Sequence, residues 1–178
     1  MADTKRSLAE ILTLFADNTS GAISAQDLRD MVVTIEPDHG EIHVTSASAT
    51  TVSDTTSYFD AAGTYSLDSG DDWDMNTNGQ LRYTGTPDRY AEITVSFSIT
   101  AASNNQTLHF RIAKNGTSIA ASDTQRKVGT GADVGSGGCH GSTTVSTNDY
   151  ITLEVRNETS ASDVTFETCE LYAKGFAV

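Results

Sequence analysis

The spacing of apolar residues changes period once along the chain, near Pro37. Before it the period is helical. Leu8, Ile11, Leu12 and Phe15 fall at i, i+3, i+4 and i+7, one stripe of a short helix. Ser7 and Glu10 make the S-x-x-E capping box that starts this helix, and Asp17-Asn18-Thr19-Ser20-Gly21 stops it. A second start signal stands at Ser24, with Asp27 three residues on. Leu28, Met31 and Val32 supply its stripe, and Pro37 closes the region. Residues 1–36 thus predict two short helices joined by a polar turn. Helices this short are not stable alone in water, so each stripe must bury itself against something else.

After Pro37 the period is two. From Tyr90 to Ala101, Ile93, Val95, Phe97 and Ile99 alternate with Thr94, Ser96, Ser98 and Thr100. A second strand runs through Leu108, Phe110 and Ile112. Asn115-Gly116 follows as a two-residue hairpin turn, pairing Ile112 with Ile119 and Phe110 with Ala121. Further strands are expected at 150–155 and 164–171. Weaker ones are expected at 42–45, at 63–67 and on either side of Asn78-Gly79. The six glycines between Gly129 and Gly141 read as a long flexible connection. Eight to ten strands with no helix between them predict an antiparallel sandwich or jelly roll behind a two-helix arm. The expected divisions are a helical anchor at 1–36, a linker with one weak strand at 37–57, and the jelly roll at 58–178.

Composition narrows the function. The 178 residues carry 11 Lys+Arg against 24 Asp+Glu, a formal net charge of −13. A nucleic-acid binder needs clustered bases, and an anionic membrane surface repels such a chain. No run approaches the ~18 apolar residues of a membrane span, and Glu10 interrupts the N-terminal apolar run, against a secretory signal. The 26 Thr and 19 Ser fit sheet and turns rather than a small enzyme. Cys139 and Cys169 are expected as free buried thiols, with a disulfide as the alternative.

One stretch suggests a ligand. Asp74, Asn76, Asn78 and Gly79 match the first half of an EF-hand loop, but the twelfth position, where a bidentate Glu belongs, is Gly85. The other reading is a hairpin with Thr77-Asn78-Gly79 as its loop, which sets Trp73 opposite Tyr83 and Met75 opposite Leu81. Asp71, Asp72, Asp74, Trp73 and Tyr83 are also the first place to look for a glycan site, which commonly sets an exposed ring beside amides and carboxylates. His39 and His43 stand ~13 Å apart on an extended chain, too far to share one metal. Cys139 has only the adjacent His140 as a base, projecting to the other side of the backbone. No cofactor and no metal site is expected.

Two resemblances sharpen this reading. The run Phe15-Ala16-Asp17-Asn18-Thr19-Ser20-Gly21-Ala22-Ile23-Ser24-Ala25-Gln26-Asp27-Leu28-Arg29-Asp30-Met31-Val32 resembles a segment near the N-termini of many tailed-bacteriophage virion proteins. Residues 58–178 are similar to the complement-type and tumour-necrosis-factor-like jelly roll. The likeness is carried by Tyr58-Phe59, Gly63-Thr64-Tyr65, Lys114-Asn115-Gly116-Thr117, Asp149-Tyr150-Ile151-Thr152-Leu153 and Leu171-Tyr172-Ala173-Lys174-Gly175-Phe176. Asn148 stands where that family usually has Gly, and Tyr150 where Val is common. The resemblances imply a non-enzymatic capsid decoration or head-fibre protein at the virion surface, made in the host bacterial cytoplasm. Leu8, Ile11, Leu12, Phe15, Leu28, Met31 and Val32 would anchor it to the major capsid protein or another virion protein. A homotrimer, burying one apolar sheet face around its axis, would project outward. The alternatives are a tail-tip or baseplate receptor-binding protein recognising a host glycan, and a small depolymerase, which only the acidic residues favour.

Overall fold

The computed structural model describes residues 3–15, 23–130 and 133–178. Two helices, α1 (Leu8–Leu14) and α2 (Ala25–Ile35), precede thirteen strands, several of only two or three residues. The strands are β1 (Asp38–Ala47), β2 (Ala49–Thr50), β3 (Phe59–Asp60), β4 (Gly63–Asp71), β5 (Trp73–Met75), β6 (Leu81–Tyr83), β7 (Arg89–Ala101), β8 (Gln106–Lys114), β9 (Thr117–Ser118), β10 (Thr124–Val128), β11 (Gly135–Val145), β12 (Tyr150–Asn157) and β13 (Val164–Ala177).

One sheet has the order β11-β7-β13-β1-β4 with β2 on β13. The other has β10-β8-β12-β6-β5 with β3 on β12 and β9 on β8. Every pairing is antiparallel, and the two sheets close on one core as a jelly-roll sandwich. The alternation in β7 sends Ile93, Val95, Phe97 and Ile99 inward and leaves Thr94 and Ser96 exposed. Phe97 meets Phe110 of the facing sheet at 4.3 Å between centroids, and Phe166 packs edge-on to both. These three rings join the layers.

Three expectations change. The region expected as a linker, 37–57, holds β1, which runs between β13 and β4, so the sandwich begins at Asp38 rather than at 58. The glycine-rich stretch is no loose connection: Gly135–Val145 is a strand paired along β7. Its glycines make room, since a Cβ at Gly137 would stand 2.8 Å from the Phe97 ring. The Asn115-Gly116 turn forms as expected, with φ of 51° and 74°, and Ile119 N–H donates to Ile112 O at 2.9 Å. Beyond it the register differs, and Phe110 faces Thr124 instead of Ala121. Ser122 causes the jump: its hydroxyl accepts from Ile112 N–H at 3.0 Å and donates to Ile119 O at 2.8 Å, standing in for a strand residue.

At one end of the core lies a charged pair. Arg89 opens β7 and Asp38 opens β1, both fully buried, with Arg89 Nε 2.8 Å from Asp38 Oδ2. Trp73 Nε1–H donates to Asp38 Oδ1 at 3.0 Å, and Arg89 Nη1–H donates to the Thr34 carbonyl at 2.7 Å. Removing one partner of a buried pair strands the other charge, at about 3–5 kcal/mol. Arg89→Met should therefore lower the melting temperature by about 6–20 °C, at roughly 2–4 °C per kcal/mol for a chain of this size. Arg82→Met, which breaks the half-buried pair with Asp74 near the surface, should move it by only about 0–4 °C. Equal effects in calorimetry would contradict the buried role of Arg89.

Candidate docking surface

Both predicted capping boxes form. Ser7 N–H donates to Glu10 Oε2 at 2.8 Å, and Ser24 N–H to Asp27 Oδ2 at 2.8 Å, each side chain answering the other's backbone. The turn expected at 17–21 lies outside the described residues. So do residues 16–22 of the segment that resembles phage virion proteins.

The two helices differ in what they bury. On α2 the buried residues are Asp30 and Thr34, at most 1% exposed, while Leu28, Val32 and Ile35 are 49–56% exposed. Leu28, Val32 and Ile35 fall at i, i+4 and i+7, so they form one continuous apolar stripe that faces solvent. On α1 only Ile11 is buried. Leu12 is 70% exposed, Leu8 is exposed, and Phe15 and Met31 are half-buried. Of the expected anchor residues, Leu8, Leu12, Leu28 and Val32 are thus free, and Ile35 joins them. Ile35 continues the stripe by one turn, and the helical spacing alone could have found it.

The polar side is held by a set of inward hydrogen bonds. Asp30 accepts from Thr4 N–H at 2.9 Å, from Gln26 Nε2–H at 2.7 Å and from Arg6 Nε–H at 2.9 Å. Thr34 Oγ1 accepts from Arg6 N–H at 2.9 Å, and its carbonyl accepts from Arg89. Leu8 N–H donates to Val178 O at 3.0 Å, and Lys5 Nζ reaches Asp72 at 2.7 Å. Residues 4–8 therefore lie between α2 and the end of the sandwich, tied to both.

The loop singled out in the sequence is a hairpin. Trp73 faces Tyr83, Met75 faces Leu81, and Gly79 has φ of 80°. Its polar groups are already engaged: Asp74 takes both Arg82 Nε–H and Nη2–H, at 2.9 and 2.7 Å, and Asn76 donates to Gln80. Asn78 accepts from Tyr65 N–H at 2.7 Å and donates to Gly63 O. Trp73 and Tyr83 are buried against each other, so the ring expected to stand exposed beside Asp71 and Asp72 is inside the core. The same register that pairs them sends both inward. Among the described residues no three His, Cys, Asp or Glu stand together as metal ligands. Cys139 and Cys169 are free and buried on either side of β7, paired to Val95 and Phe97 respectively. Strands two apart in a sheet are roughly 10 Å apart, beyond disulfide reach. Burial pushes the Cys169 thiol up to about 12, which keeps it protonated.

The outer side of the six-stranded sheet is mixed: Glu92, Thr94, Ser96 and Glu170 share it with Tyr90, which is exposed, and with the half-buried rings of Tyr172 and Phe176.

No family model matches the chain, and no curated protein matches it. Solved structures do. The chain is similar to murine APRIL at pH 5.0, at 10% identity over 78% of this chain and 99% of that one, with a TM-score of 0.47. It is also similar to the PRD1 vertex protein P5, at 10% identity over 79% and 97%, TM-score 0.36. A third is the globular domain of a zebrafish complement 1qA protein, at 9% identity over 79% and 97%, TM-score 0.37. These likenesses concern fold; the jelly roll itself is read from strand order and register.

Backbone N–H bonds from Ser7, Ser24 and Thr4 hold the Glu10, Asp27 and Asp30 carboxyls below their ordinary values. A depressed carboxyl binds its proton at lower pH in the folded than in the unfolded arm, so its stabilisation is present above the ordinary value and lost as pH falls. Asp38, raised by burial, acts with the opposite sign. Amide-exchange protection of α2 should thus fall between about pH 5 and pH 3 while β7 stays protected. Equal retention in both would contradict the pinning of α2 by these carboxylates.

Proposed function

We propose that this chain is a non-enzymatic structural protein of a bacteriophage particle. In this reading it is a capsid decoration or head-fibre protein that docks through its helical end and projects the sandwich outward. The observation that carries the reading is the packing of α2. A helix normally turns its apolar stripe to the core; here Asp30 and Thr34 are buried instead, and Leu28, Val32 and Ile35 stand in water, as does Leu12 of α1. An apolar surface held out on a rigid base is a contact waiting for a partner. The resemblance of residues 15–32 to virion segments supports a particle as that partner. The acidic, Ser/Thr-rich remainder suits a solvent-facing knob that does not adhere to its neighbours. A trimer, which the second resemblance implies, would present three stripes at once and convert weak contacts into avidity. The glycan-receptor alternative has lost its aromatic platform with the burial of Trp73 and Tyr83.

Purified protein added to parent-phage particles assembled without it should occupy the head surface in hundreds of copies, as counted on electron micrographs. Burying one aliphatic side chain contributes roughly 1.5–3 kcal/mol, so Val32→Asp and Leu12→Asp should each weaken binding by about 10–100-fold. Because both residues are exposed, thermal unfolding should stay within about 2 °C of the parent. A few copies at the tail tip would contradict the head reading. Undiminished binding of both variants would contradict docking through the helices.

A further inference from the structure

We infer that the surface this chain docks on is an apolar groove edged by Lys or Arg side chains, and that it is not a second copy of the same stripe. The inference rests on docking through the helical end. Two features of that end define its partner. The first is shape. Leu28, Val32 and Val33, with Asp3 and Arg29, line a shallow groove of about 220 Å³ beside the stripe, room for one or two inserted aliphatic side chains. The convex stripe enters the partner, and the groove receives from it.

The second feature is charge. Three bases at the helical end are already paired: Lys5 with Asp72, Arg6 with Asp30 and Arg29 with Asp3. Glu10, Asp27 and Glu36 form no ion pair among the described residues, so with Arg29 offset by Asp3 the helical end carries an excess of unpaired carboxylates. Two copies meeting stripe to stripe would bring these acids together, on chains that each carry −13. Like charges facing each other across a contact oppose it, whereas a basic border on the partner is attracted and orients the approach. The two terms separate by their response to salt. Insertion of Leu12, Val32 and Ile35 persists at high ionic strength, and the exposed charge border is screened.

The test measures binding of the full chain to parent-phage particles assembled without it, at about 0.05 and 0.5 M NaCl, with light scattering of the chain alone beside it. Affinity should fall roughly tenfold over that range. The variant Glu36→Gln, which removes the one acid of Glu10, Asp27 and Glu36 that lies outside both capping boxes, leaves the helix starts as they are. It should bind more weakly at low salt and lose part of the salt dependence. Binding by the parent chain that is unchanged or strengthened by salt would overturn the basic border while leaving the docking itself intact. Self-association that strengthens with salt and disappears in Val32→Asp would assign the stripe to a second copy instead. Equal particle binding by the parent chain and Val32→Asp would remove the docking reading on which this inference rests.

Discussion

A buried arginine dictates how this molecule is finished at one end. Arg89 and Asp38 open two strands of the same sheet, both flanking β13, and both are closed off from water. Trp73 supplies one hydrogen bond to the carboxylate, and the guanidinium still needs acceptors. The last turn of α2 supplies one through the Thr34 main-chain carbonyl, while the Asp30 and Thr34 side chains take hydrogen bonds from the arm that threads beneath. With Asp30 and Thr34 committed to these inward hydrogen bonds, the side of α2 that carries Leu28, Val32 and Ile35 is left outside.

Function follows from that choice of side. The exposed stripe is the by-product of a polar junction, yet it sits on a rigid base, with its ends capped and its underside tied to the sandwich. Such a surface is pre-organised, so little ordering entropy is lost when a partner covers it. The sandwich meanwhile turns Ser, Thr and carboxylates to solvent on its exposed sheet face. On the proposed reading one end makes contact and the rest stays apart, as a particle-bound knob requires.

Much of this was legible in the residues. The alternation from Ile93 to Ile99 names both the strand and its inner face, and Asn115-Gly116 and Thr77-Asn78-Gly79 fix two hairpin turns. Ser7 with Glu10 and Ser24 with Asp27 mark both helix starts. Other features escaped for definite reasons. Glycines read as looseness until Phe97 is seen to fill the space above Gly137. Ser122 replaces a strand residue through its side chain, which no period records. The pairing of Asp38 with Arg89 joins residues far apart in sequence, so nothing local announces it. Periodicity identified an apolar stripe on α2 but is silent on which side the neighbour prefers, and here that neighbour is the polar arm of Thr4 and Arg6.

That orientation can be measured on the isolated protein. Cys139 and Cys169 are buried, so a single introduced thiol reports its own position. Val32→Cys and Thr34→Cys, exposed separately to a maleimide on the native chain, should differ in labelling rate by about 100-fold or more. The thiol at 32 should react as a free surface group, and the one at 34 only through opening of the arm. Fast labelling at 34 with protection at 32 would show α2 packed on its apolar side, and would contradict the polar junction and the docking surface together.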